Sequence, residues 1–270
     1  MSTPMTSPAH AHAPAPGATA ARDPALHSAT GDTLDAAELA ARQALIAHAR
    51  RLGPSGLSAG TSGNLSLRWT RAGTPGLLIT PSGVDYAALQ PEHLAFMRLE
   101  DGRWGGPLKP SSEWRFHLDI LRARPEVQAI VHAHPTHATA LAVQRRPLPA
   151  FHYMVAQAGG RDIRCADYAT YGTAELSANA LAALQDRHAC LLANHGLIAT
   201  GARLEAAFHL ALEVEALARQ YLLALATGTP VILPDDEMDR ILVAFRHYGA
   251  NAQNADASGN GQGAPAAAAP

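Results

Sequence analysis

The sequence predicts an α/β protein with a largely antiparallel sheet, and three observations predict it. Between residues 32 and 249, short apolar runs of strand length alternate with longer stretches of helical period, the pattern of strands and helices sharing one core. The links at 65–80 and 189–200 are of hairpin length, which suits antiparallel neighbours. Composition permits a full core: 47% of the 270 residues are hydrophobic, enough for one sizeable domain with extensions.

Taken in order, residues 1–31 are rich in Ala, Pro, Ser, Thr and His and show neither period, and 250–270 are largely Ala, Gly, Asn and Pro. Both read as disordered tails, because such segments bury too little apolar surface to offset their ordering entropy. That leaves 32–249 as the domain, without an internal repeat. Thr33 to Arg51 reads as a helix capped by Asp32 or Thr33, with Leu34, Leu45 and Ile46 among its apolar contacts. A glycine-rich loop, Gly60 to Asn64, leads into a strand from Leu65 to Trp69. Gly76–Thr80 is a second strand, ended by Pro81-Ser82-Gly83, and Ala95–Leu99 a third. Pro110-Ser111-Ser112-Glu113 opens a serine-capped helix running to about Arg122, with Trp114, Leu118 and Leu121 on one side. Ala129–His134 is a strand running into a helix, Thr136–Val143. Thr173–Arg187 is a helix, Ala189–Ala193 and Ile198–Thr200 are strands, and helices follow at 203–227 and 235–247.

Several functions are excluded or disfavoured. Lys and Arg total 21 against 23 Asp and Glu, for a net charge of -2, so no basic surplus exists to bind a nucleic-acid backbone. Cys165 and Cys190 form no Cys-x-x-Cys pair, which suits a reducing compartment. With no signal-like start and no apolar run of membrane length, the expectation is a soluble, cytoplasmic protein without a membrane partner.

His132-Ala133-His134 ends an apolar strand. Residues two apart in a strand face the same way, so both imidazoles can converge on one point. His195, after another apolar strand and before Gly196, offers the third ligand that a catalytic zinc needs. The spacing alone is weak, since His10-Ala11-His12 repeats it in a tail, and hydrogen-bonded histidines at a strand end would look the same. His137 turns onto the next helix, and His93, His117, His152 and His188 lack a partner at useful spacing.

Three segments could hold a phosphate. Gly60-Thr61-Ser62-Gly63-Asn64 and Thr80-Pro81-Ser82-Gly83 can form backbone nests. Ser111 and Ser112 stand at a helix N-terminus, which favours anions. Each alone is more often an ordinary turn or cap, and three together within about fifty residues point to a phosphate site. Glu113, in the same first turn, either complements the helix dipole or lies beside a metal.

These same residues carry a resemblance. Lys109 to His117 (Lys-Pro-Ser-Ser-Glu-Trp-Arg-Phe-His) is similar to a signature of the class II aldolase and adducin family. So are Gly60–Asn64, Ile79–Gly83, Val131–His134 and Asn194–Ile198, in the family's order. His152–Gly160 and Cys165–Thr173 resemble the branch acting on L-fuculose 1-phosphate. The resemblance spans about residues 36–249, and neither tail is a family feature.

The resemblance implies a three-layer fold with a central, mostly antiparallel sheet flanked by helices, assembled as a homotetramer with active sites at subunit interfaces. It implies His132, His134 and His195 as ligands of one Zn2+ per subunit. Glu113 becomes the catalytic acid/base, able to touch the metal when substrate is absent. Asn64, Ser82, Gly83, Ser111 and Ser112, with Gly63 beside them, bind the substrate phosphate. Tyr153 becomes a proton donor supplied across the interface, and Tyr248 a C-terminal residue closing over the site. Read without the resemblance, Tyr153 is a core aromatic and Tyr248 a frayed helix end. The implied reaction is retro-aldol cleavage of a ketose 1-phosphate, of the L-fuculose 1-phosphate type, to dihydroxyacetone phosphate and an aldehyde. Alternatives are an aldolase for 5-deoxyribulose or 5-methylthioribulose 1-phosphate, a pentulose-phosphate epimerase, a metal-dependent dehydratase, and a non-catalytic adducin-like scaffold. A Schiff-base mechanism would rest on Lys109, the sole lysine.

Overall fold

The computed structural model describes residues 20–26 and 34–248, with side chains through Phe245. Eight strands form one sheet: β1 (Asn64–Arg71), β2 (Thr74–Ile79), β3 (Ala95–Arg98), β4 (Trp104–Gly105), β5 (Ala129–Ala133), β6 (Cys165–Ala166), β7 (Ala189–Leu192) and β8 (Gly196–Gly201). Their order across the sheet is β4-β3-β2-β1-β5-β8-β7-β6. Every pairing is antiparallel except β6 with β7.

Strand alternation builds a core on each face. Leu65, Leu78, Val131, Leu191 and Leu197 pack on one side with α1 (Ala36–Arg51), α3 (Thr136–Val143) and α5 (Leu204–Thr227). Leu77, Ile79, Ile130, Leu192 and Ile198 pack on the other with α2 (Trp114–Ala123) and α4 (Ala174–Ala183). The result is helix, sheet, helix. Each fully buried Leu, Ile or Phe in these layers contributes about 1.5–3 kcal/mol. A last helix, α6 (Asp235–Tyr248), is tied to the Gly160–Arg161 turn, where Arg161 pairs with Asp235 and Asp239 at 2.5 Å each. No helix among the described residues is long and apolar enough to cross a membrane.

Several boundaries differ from the sequence reading. The first helix starts at Ala36, because Asp35 caps it by accepting from the Glu38 N–H at 2.7 Å. Leu34 precedes the helix, and Asp32 and Thr33 lie outside the described residues. The buried side of α1 opens on charges, Glu38 and Arg42, before Leu45 and Ile46. Helix α2 begins at Trp114 with Glu113 as its N-cap, so no serine caps it. Ser111 instead accepts from the Glu113 N–H at 3.2 Å. Strands β4 and β6, two residues each, are too short to show a period.

The reading of 1–31 as a tail does not hold for residues 20–26. Arg22 bridges to Trp104, the Asp23 N–H donates to the Trp104 carbonyl at 2.8 Å, and Trp104 Nε1–H donates to the Ala20 carbonyl at 2.9 Å. Pairing with the open edge of β4 satisfies backbone groups that composition alone does not reveal. The rest of that segment, and 250–270, lie outside the described residues.

Candidate metal centre and substrate cleft

Four side chains converge where β5 ends. His132 is fully buried on β5, and His134 continues the same strand phase one residue beyond it. Their Nε2 atoms are 2.8 Å apart. His195 sits within the tight turn joining β7 to β8, its N–H bonded to the Leu192 carbonyl at 3.0 Å. The left-handed residue of that turn is Asn194, at φ 55°, and not the glycine. Asparagine tolerates this conformation better than other non-glycine residues.

Gly196 has a different task. It opens β8 beside the end of β5, where a Cβ would lie 2.4 Å from the Ala133 carbonyl oxygen and 2.7 Å from His134 Cδ2. Only a hydrogen fits there. Glu113 completes the group: Oε2 is 3.1 Å from His132 Nε2 and Oε1 is 3.1 Å from His195 Nε2. One ligand atom from each of the four residues lies within 4.8 Å of the other three.

The donor chemistry fits a divalent cation. His132 Nδ1–H donates to the Leu197 carbonyl at 2.9 Å, which leaves the Nε2 lone pair directed at the cluster, as in histidines that bind metals. Glu113 Oε1 is buried and receives no hydrogen bond of adequate geometry, a costly condition for a carboxylate unless a cation faces it. Burial alone would raise the Glu113 carboxyl. His132 and His195 outweigh that and hold it well below the usual carboxylate range. Burial, followed by the charges of His132 and His195, lowers His134 to about 3. A neutral imidazole is the form that binds metal.

A cleft of about 350 Å³ opens above the cluster. Gly63, Asn64, Ser82, Gly83, Ser111, Ser112, Glu113, His134 and His195 all line it. Two loops are held together to make its wall: Pro81 bridges Pro110, the Ser111 N–H donates to the Thr80 carbonyl at 3.0 Å, and the Ser82 N–H donates to the Lys109 carbonyl at 3.2 Å. Gly63 must be glycine for packing, since a Cβ would lie 2.9 Å from the His132 carbonyl oxygen. Asn64 Nδ2 donates to Glu113 Oε2 at 3.0 Å, joining the cradle to the metal cluster.

Some expected residues do not gather there. Tyr153 is half-exposed, begins a 3-10 segment (Tyr153–Ala158), stacks near His152 and Phe245, and does not line the cleft. Tyr248 ends α6, and its side chain lies outside the described residues. Lys109 is exposed and is not among the lining residues. His137 pairs with Glu215 at 2.6 Å, in the first turn of α3.

Sequence reasoning missed Tyr168, Tyr171 and Asn194 in the cleft wall and His117 behind it. The two tyrosines follow β6 on an irregular segment with no period to reveal their direction. His117 did leave a signal: it stands four residues after Glu113, hence on the same side of a helix.

A family model described as Class II Aldolase and Adducin N-terminal domain matches residues 43–222. The chain is 58% identical over 215 residues to a 5-methylthioribulose-1-phosphate/5-deoxyribulose-1-phosphate aldolase of Rhodospirillum rubrum, covering 80% of this chain and 95% of that one. It is 48% identical over 195 residues to an L-fuculose phosphate aldolase of Escherichia coli O6:H1, covering 72% and 88%. A solved structure of an L-fuculose 1-phosphate aldolase superposes with a TM-score of 0.72 at 45% identity, covering 76% of this chain and 95% of that one.

Proposed function

Because the chain belongs to the class II aldolase and adducin family and is a metal-dependent aldolase, we propose that it cleaves 5-methylthioribulose 1-phosphate or 5-deoxyribulose 1-phosphate to dihydroxyacetone phosphate and an aldehyde. This corrects the order read from the sequence, which put L-fuculose 1-phosphate first. The stretches behind that order are His152–Gly160, which contributes nothing to the cleft lining, and Cys165–Thr173, of which Tyr168 and Tyr171 line the cleft. Identity of 58% to the Rhodospirillum aldolase, against 48% to the Escherichia enzyme, favours the shorter ketoses.

The observation that carries the reaction type is the His132–His134–His195–Glu113 cluster at the floor of a cleft lined by Asn64, Ser82, Ser111 and Ser112. The three imidazoles and Glu113 would hold the cation, which we take to be zinc. Bound there, it supplies a Lewis acid for the negative charge that cleavage places on the substrate carbonyl oxygen. The serine hydroxyls and the N-terminus of α2 bind the 1-phosphate. As the C3–C4 bond breaks, its electron pair passes to C3, the C4 hydroxyl loses a proton and C3 gains one. Glu113 carries the proton at C3. Tyr153, reaching in from a neighbouring copy of a homotetramer, serves the C4 oxygen. Glutamate at 113 disfavours the epimerase, whose relatives carry aspartate there. The complete cluster disfavours a scaffold.

Zinc-loaded enzyme should release dihydroxyacetone phosphate from all three substrates, with the highest kcat/KM for the 5-deoxy or 5-methylthio sugar. A chelator should abolish turnover and zinc restore it. No release from any of the three, or a borohydride-trapped adduct on Lys109, would overturn the proposal. A preference for L-fuculose 1-phosphate would reverse the substrate order.

A further inference from the structure

Two side chains outside the cleft, Ser66 and His117, continue the hydrogen bonding that starts at Glu113. Ser66 Oγ is 2.8 Å from His117 Nδ1, His117 Nε2 is 2.5 Å from Asn64 Oδ1, and Asn64 Nδ2 is 3.0 Å from Glu113 Oε2. Ser66 and His117 have no exposed surface, and Asn64 and Glu113 are buried. Two periods mesh to build the series. Asn64 and Ser66 share one face of β1, and His117 lies in α2 four residues after the N-cap Glu113.

The charge on Glu113 sets the direction of every bond. An ionised carboxylate only accepts, so Asn64 must present its NH2 group to Glu113 and its oxygen to His117. The nitrogen facing that oxygen must then carry hydrogen. His117 is therefore the Nε2–H tautomer, and its bare Nδ1 accepts from the Ser66 hydroxyl. A flipped Asn64 amide would set two acceptors against each other in a site with little water to separate them.

We propose that His117 is a positioning residue for the aldol cleavage: with Ser66, it locks the Asn64 amide so that its NH2 group faces Glu113 and the phosphate cradle. The inference rests on the roles given above to Asn64 and Glu113. The Asn64 NH2 group has two hydrogens. One goes to Glu113, and the other serves an anion in the cleft that Asn64 lines. Without the lock the amide rotates, and both contacts weaken together.

The test compares zinc-loaded wild type, His117→Leu, His117→Gln and Asn64→Ala, alongside nitrogen NMR of histidine-labelled wild type. The spectrum should show His117 with hydrogen on Nε2 and none on Nδ1. His117→Leu should keep its zinc and raise KM for the ketose 1-phosphate by about tenfold or more, toward the Asn64→Ala value. His117→Gln should recover most of that loss, because its amide N–H can reach the Asn64 oxygen. A folded His117→Leu enzyme with wild-type KM and only a lower kcat would mean a merely structural role and overturn the proposal. So would a glutamine variant no better than leucine, or an Nδ1–H or doubly protonated ring in the spectrum. The spectrum decides by itself if the leucine variant does not fold. Failure of the functional reading shows separately, as wild type releasing no dihydroxyacetone phosphate or Asn64→Ala keeping wild-type KM.

Discussion

Glu113 joins the metal cluster to the cleft wall: it lies 3.1 Å from each of His132 and His195 and 3.0 Å from Asn64. Replacing it with glutamine keeps the shape and removes the charge. Glu113→Gln should lower kcat by about 10²–10⁴-fold, the usual contribution of a general acid or base. Zinc should still bind to the three imidazoles, so metal analysis beside steady-state kinetics separates the two effects. At this scale the sequence was informative where period fixes direction. His132 and His134 share a strand face, and that convergence is present at 2.8 Å. For His117 the sequence offered only the four-residue spacing from Glu113, because the two partners, Ser66 and Asn64, are 51 and 53 residues away. Tyr168 and Tyr171 were missed because an irregular segment has no repeating direction.

Among the elements, the β7–β8 hairpin must press against β5 for His195 to meet the other ligands. Gly196 allows that approach, and Gly196→Ala would drive a methyl into the Ala133 carbonyl and the His134 ring. The expected cost is about 1–3 kcal/mol or more of stability, with weaker zinc binding, read from thermal melts and metal titration. Helix α1 makes a different commitment. Glu38 on its buried side accepts from Arg42 Nε at 2.7 Å and pairs with Arg71. Burial would raise the Glu38 carboxyl and does lower Arg42, yet the two guanidinium groups leave Glu38 below its ordinary value. A depressed carboxyl stabilises the fold above the unfolded-state pKa, about 4.3, and that stability is lost as pH falls through the lower folded value. The urea midpoint should therefore drop on acidification below about pH 4.3, and less steeply in Glu38→Gln than in wild type. The sequence showed the helix but not this pairing, because an apolar stripe marks a buried helix side and the first two buried positions here are charged.

For the whole molecule, the position of Tyr153 makes assembly testable. It is half-exposed and outside the cleft of its own chain, which suits the proposal that it serves a neighbouring copy. Glu113→Gln and Tyr153→Phe should each be nearly inactive alone. Unfolded together and refolded at equal amounts, they should regain activity at about a quarter of the sites, those pairing intact Glu113 with intact Tyr153. Activity no greater than the sum of the separate variants would mean that Tyr153 does not serve a neighbouring copy.

The sequence by itself determined the α/β class and the antiparallel hairpins, and it singled out the four residues of the candidate metal cluster and three candidate phosphate segments. The class and the hairpins follow from periods that act within a few residues, and the site residues from short motifs together with the family resemblance those motifs carry. Only the tertiary structure decided that residues 20–26 pair with the β4 edge, that Asn194 makes the turn carrying His195, and that Ser66, His117 and Asn64 lead to Glu113. The reason is that a hydrogen bond between distant segments is set by how the layers stack. Local pattern specifies which side of a strand or helix a residue occupies, and the partner it meets there is fixed by packing across the sheet.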